Sequence, residues 1–362
     1  MEDVSETDNL AMVLHTCFIL HKILEEKWGI STDINFIYKK ILFSSFITFV
    51  LSDINSELKK NMIKKNNLIY AKLELKVYNI ILSLDLPPQI KKDIQWMMQA
   101  DNTLFGDKFK LENDLISFSK IVVARQEALN NAVVYKDVYK VLVQEMDERI
   151  KEVQFELFAK CYTKDIQKYL STIRRLQFCS RWNRTRRKYP ISVLSHLYIV
   201  FALWYFIGIL ENMDMQKIIE IMTRWLFHDV SEALTWDVLT YTKNAVEWLR
   251  DLISEIEEEV IENKLLIYFK KFEFKWNIKD YILNPMHGDL WNLVKIADIF
   301  SALFEARIEA PQSPEYQEIY SNTKKILNKK NKKSVDYIHK FGIDYFDENF
   351  LDSLMSNEKA AE

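Results

Sequence analysis

Helix-breaking residues are so scarce in this chain that little besides helix is open to it. Five glycines and six prolines punctuate 362 residues, where average usage is roughly 7% and 5%. Glycine supplies the positive φ of tight turns and proline ends helices, so a chain poor in both runs on in helix. The expected class is all-α. The same scarcity excludes the glycine-rich loops that cradle phosphates. The chain is long for a single core and ample for two, so two domains are expected. Apolar periodicity places helices over residues 10–28, 34–60, 71–86, 89–99 and 112–128. Residues 134–177 carry few breakers and a regular apolar pattern, which predicts one long connecting helix or a helical hairpin.

A net charge of −3 gives no global basic field, so nucleic acid is not an expected partner. Cys17, Cys161 and Cys179 are odd in number and widely spaced. They read as core thiols of a cytoplasmic protein rather than a disulfide framework. The acidic start, with Glu2, Asp3 and Glu6, lacks the basic end and apolar core of a secretory leader. The longest apolar run, 197–210, falls short of the roughly 20 residues of a membrane helix and is expected to be a buried helix instead.

Against that background, the stretch Phe227-His228-Asp229-Val230-Ser231-Glu232-Ala233-Leu234-Thr235-Trp236-Asp237 sets one imidazole and three carboxylates within an otherwise apolar segment. On a continuous helix His228 and Glu232 share a face, with Asp229 one step round from His228. A metal ion is the natural counter-charge. Two more ligands are on offer: His196, which opens the apolar run, and Asp298, flanked by Ile296, Ala297, Ile299 and Phe300. A His ahead of an apolar helix is ordinarily a core residue, but a His-Asp couple 32 positions later changes that expectation. A carboxylate amid apolar neighbours needs a positive partner to be buried.

The ordered series of Arg181-Trp182, Ser195-His196, His228-Asp229-Val230-Ser231-Glu232-Ala233-Leu234-Thr235, Asp237, Thr240, Lys243 and Lys295-Ile296-Ala297-Asp298 resembles the HD-domain metal phosphohydrolases, in their 5'-deoxynucleotidase-like branch. Two departures stand out: Trp236 occupies the place of the family's usual Gly, and prolines common between Asp237 and Lys243 are missing. The resemblance implies an HD-domain helical bundle holding one divalent ion through His196, His228, Asp229 and Asp298. Two imidazoles and two carboxylates suit Mn, Co, Mg, Fe or Zn. It further implies that Glu232 and Asp237 are catalytic, with Asp237 touching the nucleotide sugar, and that Arg181, Trp182 and Lys243 bind substrate. A planar guanidinium suits phosphate because it donates two parallel hydrogen bonds. The implied activity is cleavage of a nucleoside 5'-monophosphate, with the deoxyribonucleoside series favoured. The alternatives are another phosphoester (a dNTP, a cyclic nucleotide or an oligonucleotide) or a non-catalytic nucleotide-sensing or scaffold module. A nucleotide is the implied partner, self-association is compatible with the chain, and no membrane partner is expected.

The remaining charged segments read as surface. Arg184, Arg186, Arg187 and Lys188 form a basic turn before Pro190, and Glu255, Glu257, Glu258 and Glu259 form a solvated face on a helix spanning 242–264. The aromatic, lysine-rich stretch 264–279 suits a lid or insertion, and His287-Gly288-Asp289 receives no role.

A weak internal echo suggests a tandem duplication. Residues around His15 resemble those around His196, Ser52-Asp53 falls at His228-Asp229, and Lys120 falls at Asp298. The separations agree, 67 positions from Asp53 to Lys120 and 69 from Asp229 to Asp298. The N-terminal copy would bind no metal, since an ammonium cannot coordinate and repels a cation. The expected division is a degenerate HD-like domain at 1–133, a connector at 134–177, the metal-binding domain at 178–310 and a helical tail at 311–362.

Overall fold

The computed structural model describes all residues except 1–4, 55, 101–107, 183–186, 237–239, 244, 286–290, 331 and 340–362. Within the described residues the chain is helical, as its lack of breakers requires. The helices are α1 (Glu6–Trp28), α2 (Ile34–Val50), α3 (Ser56–Ser83), α4 (Pro88–Ala100), α5 (Lys110–Asn131), α6 (Lys136–Ile150), α7 (Glu156–Cys161), α8 (Lys164–Ile173), α9 (Val193–Leu210) and α10 (Met215–Phe227). They continue with α11 (Glu232–Thr235), α12 (Thr240–Lys243), α13 (Leu249–Lys264), α14 (Lys275–Leu283), α15 (Trp291–Glu309), α16 (Pro314–Asn328) and α17 (Lys333–Ile338).

The chain divides into two compact units. One comprises residues 1–184, 190–201 and 223–285; the other comprises 185–189, 202–222 and 286–362. In the first unit, α1 is apolar nearly all round and buried from Leu10 to Leu20, as befits a central helix. Ser5 and Asp8 cap its start reciprocally, and Gly29 ends it at φ 65, where its N–H reaches the carbonyls of Glu25 and Leu24. Helices α2 and α5 pack on α1, and a buried Lys39–Asp93 pair at 3.1 Å ties α2 to α4. In the second unit, Gly208 lets α9 approach Ile218 closely, since a Cβ at 208 would lie 2.6 Å from the Ile218 side chain.

Several expected boundaries are corrected. The helix expected over 34–60 is interrupted by a turn at 51–54, and α3 then runs on to Ser83 through a kink at Asn66. Residues 134–177 form neither one helix nor a simple hairpin. They break into α6, a 3₁₀ turn, α7, α8 and a second 3₁₀ turn, with Thr163 capping α8. The segment 264–279 is not a lid: Phe269 and Phe274 are core residues, and Phe269 packs edge-on against Tyr169 at 4.8 Å. Helix α13 begins only at Leu249, after Trp248 at φ 66. Its acidic run is partly engaged, with Glu257 3.2 Å from Lys243 and Glu258 2.8 Å from Lys279.

The basic turn before Pro190 is corrected as well. Arg187 is buried, its guanidinium 2.9 Å from Glu305 and 3.6 Å from Glu309, while the backbone N–H groups of Lys188 and Tyr189 donate to Glu309. A buried guanidinium persists only because both carboxylates meet it. The run 197–210 is interior, as expected: α9 passes a length-and-composition test for a membrane span, but 72% of that window is buried. The three cysteines are buried thiols.

His15 lies fully buried between Tyr169 and Phe227, its Nδ1 3.3 Å from the Tyr169 hydroxyl. Burial pushes its pKa down to about 3, and burial first, with Lys22 beside it, pushes His21 down to about 4. Both rings are neutral when folded and take up protons on unfolding below about pH 6.5. Their contribution to stability is complete above that pH and is lost as pH falls toward the folded values, by about 1.4 kcal/mol per pH unit for each ring. Urea titrations at pH 7, 6 and 5 should show this loss, and His15→Gln should reduce the slope by one proton. An unchanged slope would show that His15 is not held neutral.

Candidate metal centre

The site is assembled from one short bridge, one helix start and one helix end, all in the first unit. Ser180 pairs with Ser192 in an isolated antiparallel bridge, with Arg181 N–H donating to the Ile191 carbonyl and Val193 N–H to that of Cys179. This clip sets Arg181 beside the start of α9. Ser192 caps that helix, its Oγ accepting from the Ser195 N–H at 2.9 Å, and His196 N–H makes an early intrahelical bond to the Ser192 carbonyl.

Helix α10 ends at Phe227, so the continuous helix on which His228 and Glu232 would share a face does not form. Residues 228–231 turn tightly through bonds from Val230 N–H to the Phe227 carbonyl and from Glu232 N–H to the Asp229 carbonyl, and α11 starts at Glu232. The turn aims His228 and Asp229 at His196. Ligand atoms of His196, His228 and Asp229 all lie within 4.8 Å of one another. Asp229 Oδ2 is 3.0 Å from His228 Nε2, 3.9 Å from His196 Nε2 and 3.9 Å from Arg181 Nη1.

Tautomers decide what this arrangement can hold. His228 Nδ1 lies 2.8 Å from the Trp225 carbonyl, which can only accept, so Nδ1 carries a proton. In the neutral ring Nε2 then presents a lone pair toward Asp229, as a metal ligand requires. Burial, with Arg181 and His228 adding to it, pushes His196 well below its ordinary pKa, so its ring too is neutral. Burial alone would raise the Asp229 carboxyl, but His228, Arg181 and Lys243 outweigh it and hold the group ionised. Two imidazoles and one carboxylate converging on a point fit a divalent cation.

The other expected residues fall as follows. Glu232 is half-buried at the start of α11, and Trp182, also half-buried, follows Arg181 at φ 58. Lys243 ends α12 and pairs with Glu257. Asp298 is half-buried on α15, in the second unit. Asp237 lies outside the described residues, as do Arg184, Arg186 and His287-Gly288-Asp289. Sequence reasoning missed the Trp225 carbonyl, which orients His228 through a backbone atom that no residue type announces.

Residues 168–346 match the family described as 5'-deoxynucleotidase YfbR-like. That segment is a member of the family. The protein is accordingly a metal-dependent phosphohydrolase of the HD-domain superfamily, and the fold is the all-α bundle expected for it. Among solved structures, an HD-domain phosphohydrolase from Listeria innocua is similar at 23% identity, covering 54% of this chain and 99% of that one with a TM-score of 0.42. No curated protein matches the chain.

Trp236, where the resemblance leads one to expect glycine, sits at φ 64 and ψ 165 with its side chain largely exposed. That region of backbone space is essentially reserved for glycine and costs other residues about 1–3 kcal/mol. At this position a tryptophan bears the strain. Trp236→Gly should therefore stabilise the protein by about 1 kcal/mol in reversible unfolding, after subtraction of glycine's greater unfolded-state entropy. A loss of stability of that size would refute the assignment of strain.

Proposed function

We propose that the protein hydrolyses nucleoside 5'-monophosphates, with deoxyribonucleotides preferred, to nucleoside and phosphate. The observation that carries this reading is the convergence of His196, His228 and Asp229 within 4.8 Å, with Arg181 beside them. Asp298 is the fourth ligand in this proposal. A divalent cation held there supplies positive charge to the phosphoryl oxygens and acidity to a water.

The chain's own residues do the rest. Arg181 donates its planar fork to phosphate oxygens, a role matched to its reach toward the ligand carboxylate. Trp182 packs on the sugar or base. Glu232, whose N–H is tied to the Asp229 carbonyl, orients the attacking water and takes its proton. Asp237 contacts the sugar and Lys243 the substrate, as in the 5'-deoxynucleotidases that the family resembles. The buried thiols support a reducing, cytoplasmic setting.

The strained Trp236 supports a second reading, in which a reshaped pocket takes a different phosphoester. Chromatographic analysis of the products from dNMPs, NMPs, dNTPs and cyclic nucleotides separates the two, because hydrolysis confined to dNTPs or cyclic nucleotides would replace the first reading with the second. We also read the N-terminal half as a degenerate HD copy. There His15, at the place of His196, has become a neutral core ring against Phe227, and Lys120 stands exposed on α5.

Two variants test the roles. Asp298→Ala should lose metal uptake and activity together, whereas Glu232→Ala should keep the metal and lower kcat by about 10²–10⁴-fold. Normal deoxynucleotide hydrolysis by the Asp298 variant would overturn the ligand set.

A further inference from the structure

The first turn of α1 lies far outside the segment that matches the family, yet it reaches the serines that open the helix of His196. Asp8, in the first turn of α1, is buried. Its Oδ1 accepts from the hydroxyls of Ser192 and Ser195, the latter at 2.9 Å. Its Oδ2 accepts from the Ser5 N–H at 3.1 Å and the Ser5 hydroxyl at 2.8 Å. The hydroxyls of Ser5 and Thr7 also lie 2.7 and 2.8 Å from Ser195 Oγ. One carboxylate thus joins the starts of two helices, and the second of these carries His196 one residue after Ser195.

The first turn of a helix is where backbone groups lack partners and fraying begins. His196 stands in that turn, so its ring is only as well placed as the turn is closed. Ser192 caps the turn through its Oγ, which accepts from the Ser195 N–H, and the same hydroxyl is held in that orientation by donating to Asp8. A carboxylate near the positive end of α9 adds favourable charge to the geometry.

We infer that Asp8 is a positioning residue for the metal centre: it clamps the opening turn of α9 and so fixes His196 as a ligand. The inference rests on His196 being a ligand, as proposed above. It assigns the N-terminal helix a part in the site that the family segment alone does not supply. Groups that orient ligands from outside the coordination sphere change metal affinity by 10–100-fold when removed.

The test uses the full chain with Mn²⁺ alone, by titration calorimetry, and amide hydrogen exchange without metal. Asp8→Ala should weaken Mn²⁺ binding about tenfold or more and speed exchange in the first turn of α9, while the buried centre of α2 stays protected. Ser195→Ala, a milder change, should move both readouts in the same direction by less. In the Ser192→Ala/Ser195→Ala background Asp8→Ala should add little further loss. Activity of Asp8→Ala should recover at raised Mn²⁺, with KM for the nucleotide unchanged at saturating metal. A variant that is less heat-stable yet binds Mn²⁺ as the parent does, with unaltered exchange at 193–197, would reduce Asp8 to a structural role and overturn the inference. A parent protein that takes up no Mn²⁺ would instead refute the metal-site reading, and the exchange data would still decide the clamp.

Discussion

The centre depends on a helix that stops at the right residue. Had α10 continued, the Trp225 carbonyl would have bonded to the N–H of Asp229. Because the chain turns after Phe227, that carbonyl is left as one of the orphan acceptors of a helix end, and the His228 ring supplies its donor. One hydrogen bond thereby satisfies the backbone, fixes the tautomer and turns Nε2 toward Asp229. The same turn brings Asp229 within reach of His196 and Arg181. The metal-binding arrangement is in this sense the capping arrangement of α10.

How much of this could be read beforehand divides along a physical line. The approach of His196 to the His228-Asp229 couple was legible because coordination demands particular residue types, and those stand out against apolar neighbours. The all-α class was legible because so few residues can break a helix. The end of α10 was not, since residues 228–234 carry no glycine or proline and read as helix by pattern alone. Nor was the division of the basic segment. Arg181 faces the ligand carboxylate, whereas Arg187, six positions on, is buried against Glu305 and Glu309. Both are arginines in the same cluster, and only tertiary partners more than a hundred positions away distinguish Arg187 from a surface cation.

Strain marks the segments around the centre. Trp182, Trp236 and Trp248 all adopt positive φ, which a bulky side chain tolerates only when its surroundings over-determine it. Each lies next to a residue or element invoked in the chemistry: Trp182 follows Arg181, Trp236 closes the helix of Glu232, and Trp248 opens the helix whose Glu257 holds Lys243. Trp236 thereby presents an exposed indole directly after the helix of Glu232.

The family match begins at residue 168, and the helices ahead of it take part in the structure around the centre. Lys120 and Ser52, at the places of Asp298 and His228 in the proposed duplication, cannot coordinate as those ligands do. The N-terminal helices instead furnish surroundings: α1 buries His15 against Phe227, the residue before His228, and its first turn binds the serines that open the His196 helix. Here the elements that carry His196 and His228 both lean on the same N-terminal helix, one at its first turn and the other near its middle.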